Sequence, residues 1–227
     1  MAKDTLSSMQ TAPISQTAAS LSFAGAATFL VLLTALHFIK PELDPSWRFI
    51  SEYAIGDNGW IMVLAFLSLA MSYASLFVAI RTQMRTIGGR IGLACLLISA
   101  AGLTIAAIFT TDPITASKDA MTTEGNLHNL GGTLGMAMPV AAVLISWSLA
   151  RNQAWATARR SLIWATVLVV IGFLASILSL GVMLSQSGGN FGPGVLVGWT
   201  NRLEVLAYCI WLMVVAWQAT QLNIPGD

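Results

Sequence analysis

The chain of 227 residues is 56% hydrophobic and 9% charged, with a mean hydropathy of +0.74; soluble domains carry charge on roughly a quarter of their residues, so a water-soluble fold is excluded. A formal net charge of +1, without any basic run, leaves no field for gathering nucleic acid. The two cysteines, Cys95 and Cys209, each sit in an apolar run and read as small buried hydrophobes, not as a disulfide or a metal site.

Residues 1–19 are Ser, Thr, Ala and Gln with single charges at Lys3 and Asp4, too little apolar surface to fold alone, so a flexible polar tail is expected there. Lys3 stands too far before the apolar run, and beside an acid, to head a cleaved signal peptide. A first span over residues 21–39 is therefore expected to stay in place, ending at Lys40-Pro41, where proline disfavours helix at the residue before it. Further spans follow over residues 59–80, 91–109, 130–150 and 161–184. Pro139 is expected to kink the fourth. Gly188-Gly189-Asn190-Phe191-Gly192-Pro193-Gly194 interrupts the pattern, and a sixth span over residues 200–220 leaves a short tail at 221–227. Strand alternation is nowhere sustained, so the expected fold is all-α: one polytopic domain over residues 20–220, a bundle of six transmembrane helices and not a barrel.

The cations give an orientation. Arg81, Arg85 and Arg90 lie between the second and third spans, and Arg151, Arg159 and Arg160 between the fourth and fifth. Both connections, and with them both termini, are expected on the cytoplasmic side of the cell's inner (plasma) membrane. Eight of the ten acids, Glu42, Asp44, Glu52, Asp57, Asp112, Asp119, Glu124 and Glu204, fall on the opposite face. Trp47, Trp60 and Trp199 suit an aromatic belt at that outer boundary, and Trp147, Trp155 and Trp164 one at the inner boundary. Gly88-xxx-Gly92 and Gly131-xxx-Gly135 place small residues one turn apart and predict close helix contacts. The two halves do not match one another, so an inverted-repeat transporter has no support.

Several polar residues gather at the outer ends of the spans. Residues 48–60 are too apolar for a solvated loop and are expected at the interface or in the mouth of the bundle, where Glu52 would need a cation or a donor. Asp57-Asn58-Gly59 reads as a turn whose Asp57 or Asn58 caps the next helix. Asp112-Pro113 closes the third span, an end where the helix dipole disfavours an acid. His128 opens the fourth, where a neutral imidazole is expected. Asn201, Glu204 and Tyr208, at i, i+3 and i+7, share one face of the sixth. An acid at the centre of a spanning helix costs roughly 2.5–3.5 kcal/mol, less near an end, so Glu204 needs a partner. Arg202 faces elsewhere and is expected to pair with Glu52 or Asp112, and His37 lies at similar depth on the first span.

The order Phe-Ile-Ser-Glu-Tyr-x-x-Gly-x-x-Gly before span two, Phe-Thr-Thr-Asp-Pro after span three, Leu-His at the head of span four and Asn-Arg-x-Glu at the head of span six resembles the bacterial and archaeal integral membrane family called domain of unknown function nine-nine-eight, from about residue 20 to 220. The resemblance implies six spans, with Ser51, Glu52, Gly56, Asp112, Pro113, His128, Arg202 and Glu204 at matching positions, and implies no activity.

The expected function is a polar pocket on the outer side that binds membrane lipid, a small amphiphile or a partner protein, formed by His37, Ser51, Glu52, Asp112, His128, Asn201, Arg202, Glu204 and Tyr208, which would also serve as a structural ion-pair network. No cofactor or metal is expected with it. One alternative is a membrane-embedded hydrolase of esters or phosphates: His128 as general base, Asp112 orienting it or holding a metal, Arg202 as anion clamp. No nucleophile motif and only two histidines speak against it. Another is a haem b carrier with His37 and His128 as axial ligands.

Overall fold

The computed structural model describes residues 14–222; most of the expected N-terminal tail and the last residues, 223–227, lie outside the described residues. The described residues form seven α-helices: α1 (Gln16–Ile39), α2 (Gly59–Ile80), α3 (Ile87–Ile108), α4 (Thr123–Gly135), α5 (Met138–Ala150), α6 (Arg159–Gln186) and α7 (Val197–Gln221). Among the described residues six segments are long and apolar enough to cross a membrane, the α4–α5 pair counting as one. At about 1.5 Å per residue each matches or exceeds the roughly 30 Å of a bilayer's hydrocarbon.

Three helices start earlier than apolar runs suggest, and one device explains all three. The Ser15 hydroxyl accepts from Ala18 N (3.3 Å), so residues 16–19, expected in the tail, open α1. Thr86 accepts from Gly89 N (3.0 Å) and starts α3 at Ile87, and Thr122 accepts from Gly125 N (2.9 Å) and starts α4 at Thr123, well before residue 130. A hydroxyl N-cap satisfies an orphan amide, so the first turn need not be apolar. The expected side-chain cap on α2 does not form: Asn58 precedes that helix in the left-handed conformation (φ 59°) without a side-chain cap bond.

Small residues and hydroxyls hold the helices together, as expected where lipid removes any net hydrophobic drive between them. On α1 and α2, Gly25 lies against the Ser68 carbonyl, and Ser72 donates to the Ser22 carbonyl (2.7 Å). On α3 and α4, Gly102 and Gly131 bring their backbones into contact. Gly92 of α3 sits against Ile145 of α5, and Gly135 N lies 2.9 Å from where a methyl on Gly102 would fall, whereas Gly88 meets only the Leu144 side chain, at 3.8 Å. The Ser146 hydroxyl of α5 accepts from Trp211 Nε1 of α7 (2.9 Å) and from Thr166 of α6 (2.7 Å), joining three helices.

The fourth crossing breaks between α4 and α5. Pro139 has no amide to offer the Gly135 carbonyl one turn back, and that carbonyl accepts instead from the Ser99 hydroxyl of α3 (3.3 Å). As a result α4 leans on α3, while α5 packs on α3 and α6. α6 packs on α5 and α7 and shares no extended packing with α4, and only 11% of its most apolar window is buried. A gap therefore opens between α4 and α6 at the end away from the arginine-bearing connections.

Gly131→Ala would set a methyl 2.6 Å from the Gly102 carbonyl oxygen, while a methyl at Gly132 meets nothing within 4 Å. Thermal unfolding in neutral micelles is expected to show Gly131→Ala destabilised by about 1–3 kcal/mol. Gly132→Ala is expected at or slightly above the parent, since alanine favours helix over glycine.

Candidate functional site

The polar residues at this end divide into a framework and a cavity. At the centre of the framework is Arg202 of α7, 9% exposed. Its Nε donates to His37 Nε2 of α1 (2.9 Å), one terminal nitrogen to the carbonyls of Arg48 (2.7 Å) and Gly198 (3.1 Å), and the other to the Tyr53 hydroxyl (3.3 Å). Arginine only donates, so His37 Nε2 must accept; His37 is then the Nδ1–H tautomer, donating to the Leu33 carbonyl (2.7 Å). The expected pairing of Arg202 with Glu52 or Asp112 does not form, because the connection between α1 and α2 folds inward and offers main-chain oxygens first.

That connection is fixed on its other side by Glu52, 1% exposed in the turn Ile50–Ala54. Its Oε1 accepts from Arg48 (2.7 Å) and from Ile114 N (3.0 Å), and its Oε2 from Phe49 N (3.1 Å). Asn201 of α7 accepts from Ile50 N (3.2 Å), and Gly198 N donates to the Ser46 carbonyl (3.0 Å). Side chains are excluded there: a methyl on Gly198 would fall 2.4 Å from the Pro45 carbonyl oxygen. Lys40, which sequence reasoning left out, is buried and donates to the carbonyls of Tyr53 (3.4 Å) and Ile55. At the exposed rim, the Ser46 amide holds the Asp44 carboxyl below the usual carboxylate range.

Asp112 belongs to this framework and not to a catalytic pair with His128. Its carboxylate accepts from Thr122 N (2.8 Å) and from the Thr122 hydroxyl (2.9 Å), at the start of α4. The dipole that disfavours an acid at the end of α3 is answered by the positive end of α4. Gly125 makes room, since a methyl there would overlap the Asp112 carboxylate.

The cavity has a volume of about 410 Å³ and lies between α2, α3, α4, α6 and α7. Of the expected residues it gathers Ser51, His128, Asn201, Glu204 and Tyr208; His37, Glu52, Asp112 and Arg202 do not line it. Its walls are largely apolar, with Phe29, Phe66, Leu69, Leu103, Ile177, Leu180 and Val205. Phe49 packs edge-on against Phe191 of the glycine-rich loop (centroids 6.1 Å) and roofs it. Gly132, Thr133, Met136 and Ile177 on its rim are exposed, so it opens sideways between α4 and α6.

His128, 6% exposed, donates Nδ1–H to the carbonyls of Ala106 (3.0 Å) and Phe109 (2.9 Å), using acceptors left over at the end of α3. In the neutral ring Nε2 then carries the lone pair, and among the described residues no hydrogen bond reaches it. The Tyr208 hydroxyl donates to Glu204 (2.6 Å), and Ser176 of α6 lies against the same carboxyl. Glu204 has no ion pair; Arg48–Glu52 is the salt bridge among the described residues. Tyr73, Thr111, Asn129 and Ser176 also line the cavity and were missed, although a tyrosine inside an apolar span such as residues 59–80 is a usable signal.

Among the described residues no group of three or more His, Cys, Asp or Glu could hold a metal. Axial ligation of haem by His37 has no support, because both its ring nitrogens are engaged. A family model described as protein of unknown function, DUF998, matches residues 23–218. No curated protein and no solved structure matches the chain.

Arg202→Ala strips donors from His37, Tyr53 and two buried carbonyls and is expected to cost about 3 kcal/mol or more. Arg81→Ala, at an exposed position, is expected within about 0.5 kcal/mol of the parent. Equal melting temperatures for the two in neutral micelles would remove the framework role of Arg202.

Proposed function

The chain belongs to the DUF998 family, and we propose that it binds a lipid or another small amphiphile in the cavity between α4, α6 and α7. The observation that carries this reading is the make-up of that cavity: apolar walls, a few converging polar groups, and a side opening. Its size falls within the roughly 300–1,000 Å³ of small-molecule sites. An acyl chain lying along Met136, Ile177 and Leu180 would reach the bilayer through the gap, with its polar end at His128, Asn201 and Glu204. The charges at this end that catalysis would draw on, Arg202, Glu52 and Asp112, are consumed in the framework.

One feature favours the hydrolase as a second reading. His128, a lining residue anchored through Nδ1–H, keeps Nε2 out of the framework, and in the neutral ring that nitrogen is the one a general base would use. Neither an Asp112 partner nor a nucleophile beside it supports this further, so binding ranks first. In either case we place the arginine-bearing connections, with both termini, on the cytoplasmic side of the plasma membrane and the cavity in the outer half, by the bias of short cationic loops.

Two measurements test the proposal. Gly132→Trp should fill the cavity mouth and reduce the lipid that co-purifies, quantified by mass spectrometry of extracts. Gly181→Trp, on α6 and outside the lining, should not; equal lipid content in the two would count against the cavity as the binding place. Cysteines introduced as Asp119→Cys and Arg85→Cys in intact cells should label from outside and only after permeabilisation, respectively. The reverse pattern would invert the orientation.

A further inference from the structure

Resting on the reading of the cavity as an amphiphile site, we infer that its ligand carries a cationic head group with N–H donors, a long-chain ammonium, seated on Glu204. The argument is one of charge. Among the described residues no lysine or arginine lines the cavity. The three buried or half-buried cations at this end are turned away: Arg202 to His37, Tyr53 and carbonyls, Lys40 to carbonyls, Arg48 to Glu52.

What does face the space is the Glu204 acid among neutral polar groups, including the amides of Asn129 and Asn201 and the hydroxyls of Ser51 and Thr111. Glu204 uses one carboxyl oxygen for the Tyr208 hydroxyl, and its acid has no counter-ion. His128 gives its Nδ1–H to two carbonyls, so in the neutral ring Nε2 is the acceptor. Tyr73 and Ser176, on α2 and α6, add hydroxyls that accept as readily as they donate. A phosphate or carboxylate head group would meet an acid in a low-dielectric space with no cation to offset it. An ammonium supplies the missing positive charge and up to three donors to the Glu204 carboxylate and the hydroxyls beside it. The aromatic faces of Phe66 and Tyr73 in the same wall also favour a cation over an anion.

The test compares three probes of one chain length, dodecylammonium, dodecanol and dodecanoate, on the full chain in neutral maltoside micelles. The readout is protection of a cavity-mouth cysteine, Gly132→Cys in a Cys95→Ala background, from a maleimide; Cys209 is fully buried. Dodecylammonium is expected to protect at a concentration about tenfold or more below the other two. Adding Glu204→Gln is expected to raise its half-protecting concentration about tenfold or more, the loss of one charged hydrogen bond. Equal protection by dodecanol or dodecanoate overturns the cationic head group while leaving an amphiphile site in place. No protection by any of the three overturns both readings. If Glu204→Gln does not fold, the comparison among probes on the parent chain still decides.

Discussion

The arrangement of this bundle depends on one buried guanidinium. Arg202 sits near the start of α7 with no carboxylate in contact, and its charge is spread over an imidazole, a phenol and two main-chain carbonyls. A neutral acceptor set of this kind costs less in geometry than a single ion pair, because each contact comes from a different segment and tolerates small shifts. Three segments are thereby tied together: α1 through His37, the inward-folded connection through Arg48 and Tyr53, and α7 itself. Burying the charge would be prohibitive without those acceptors. The connection in turn could not fold inward without a donor for its carbonyls.

The same logic separates what supports from what is left open. Glu52, Asp112, Lys40 and Arg202 each meet the backbone of a turn or a helix end, and each therefore holds non-helical chain at membrane depth, where every amide and carbonyl must find a partner. Glu204 and His128 do something else. Each has part of its hydrogen-bonding capacity used by the protein and part directed into a cavity. That cavity exists because Pro139 cannot donate to Gly135, the fourth crossing bends there, and Ser146 gathers α5, α6 and α7 without α4.

Composition and long apolar runs made the six crossings readable, since a charge-free stretch of that length has few other uses. Their starts were not, because Ser15, Thr86 and Thr122 extend helices into polar sequence by capping, and a hydroxyl before a polar first turn looks like loop. The shared face of Asn201, Glu204 and Tyr208 was legible from helical spacing alone, and all three line the cavity. Partners were the illegible part. Opposite charges at one depth suggested Arg202 with Glu52 or Asp112, yet Arg48 lies one helical turn before Glu52 and reaches it locally. Asp112 meets the amide of Thr122, and backbone partners leave no trace in a list of charged residues.

A chain that must neutralise its own charges in lipid has two kinds of solution, and the difference bears on function. Where a charge is met by backbone, as for Arg202 and Lys40, the partner is covalently part of the same fold and the site is complete. Glu204 is met only by hydroxyls, Tyr208 and Ser176, which orient a carboxyl but bring no opposite charge. Its position on an open cavity, and not against the framework a turn away, is what the proposed ammonium head group would answer. Among the described residues, Glu204 is thus a partly buried acid that the protein meets with hydroxyls and no cation.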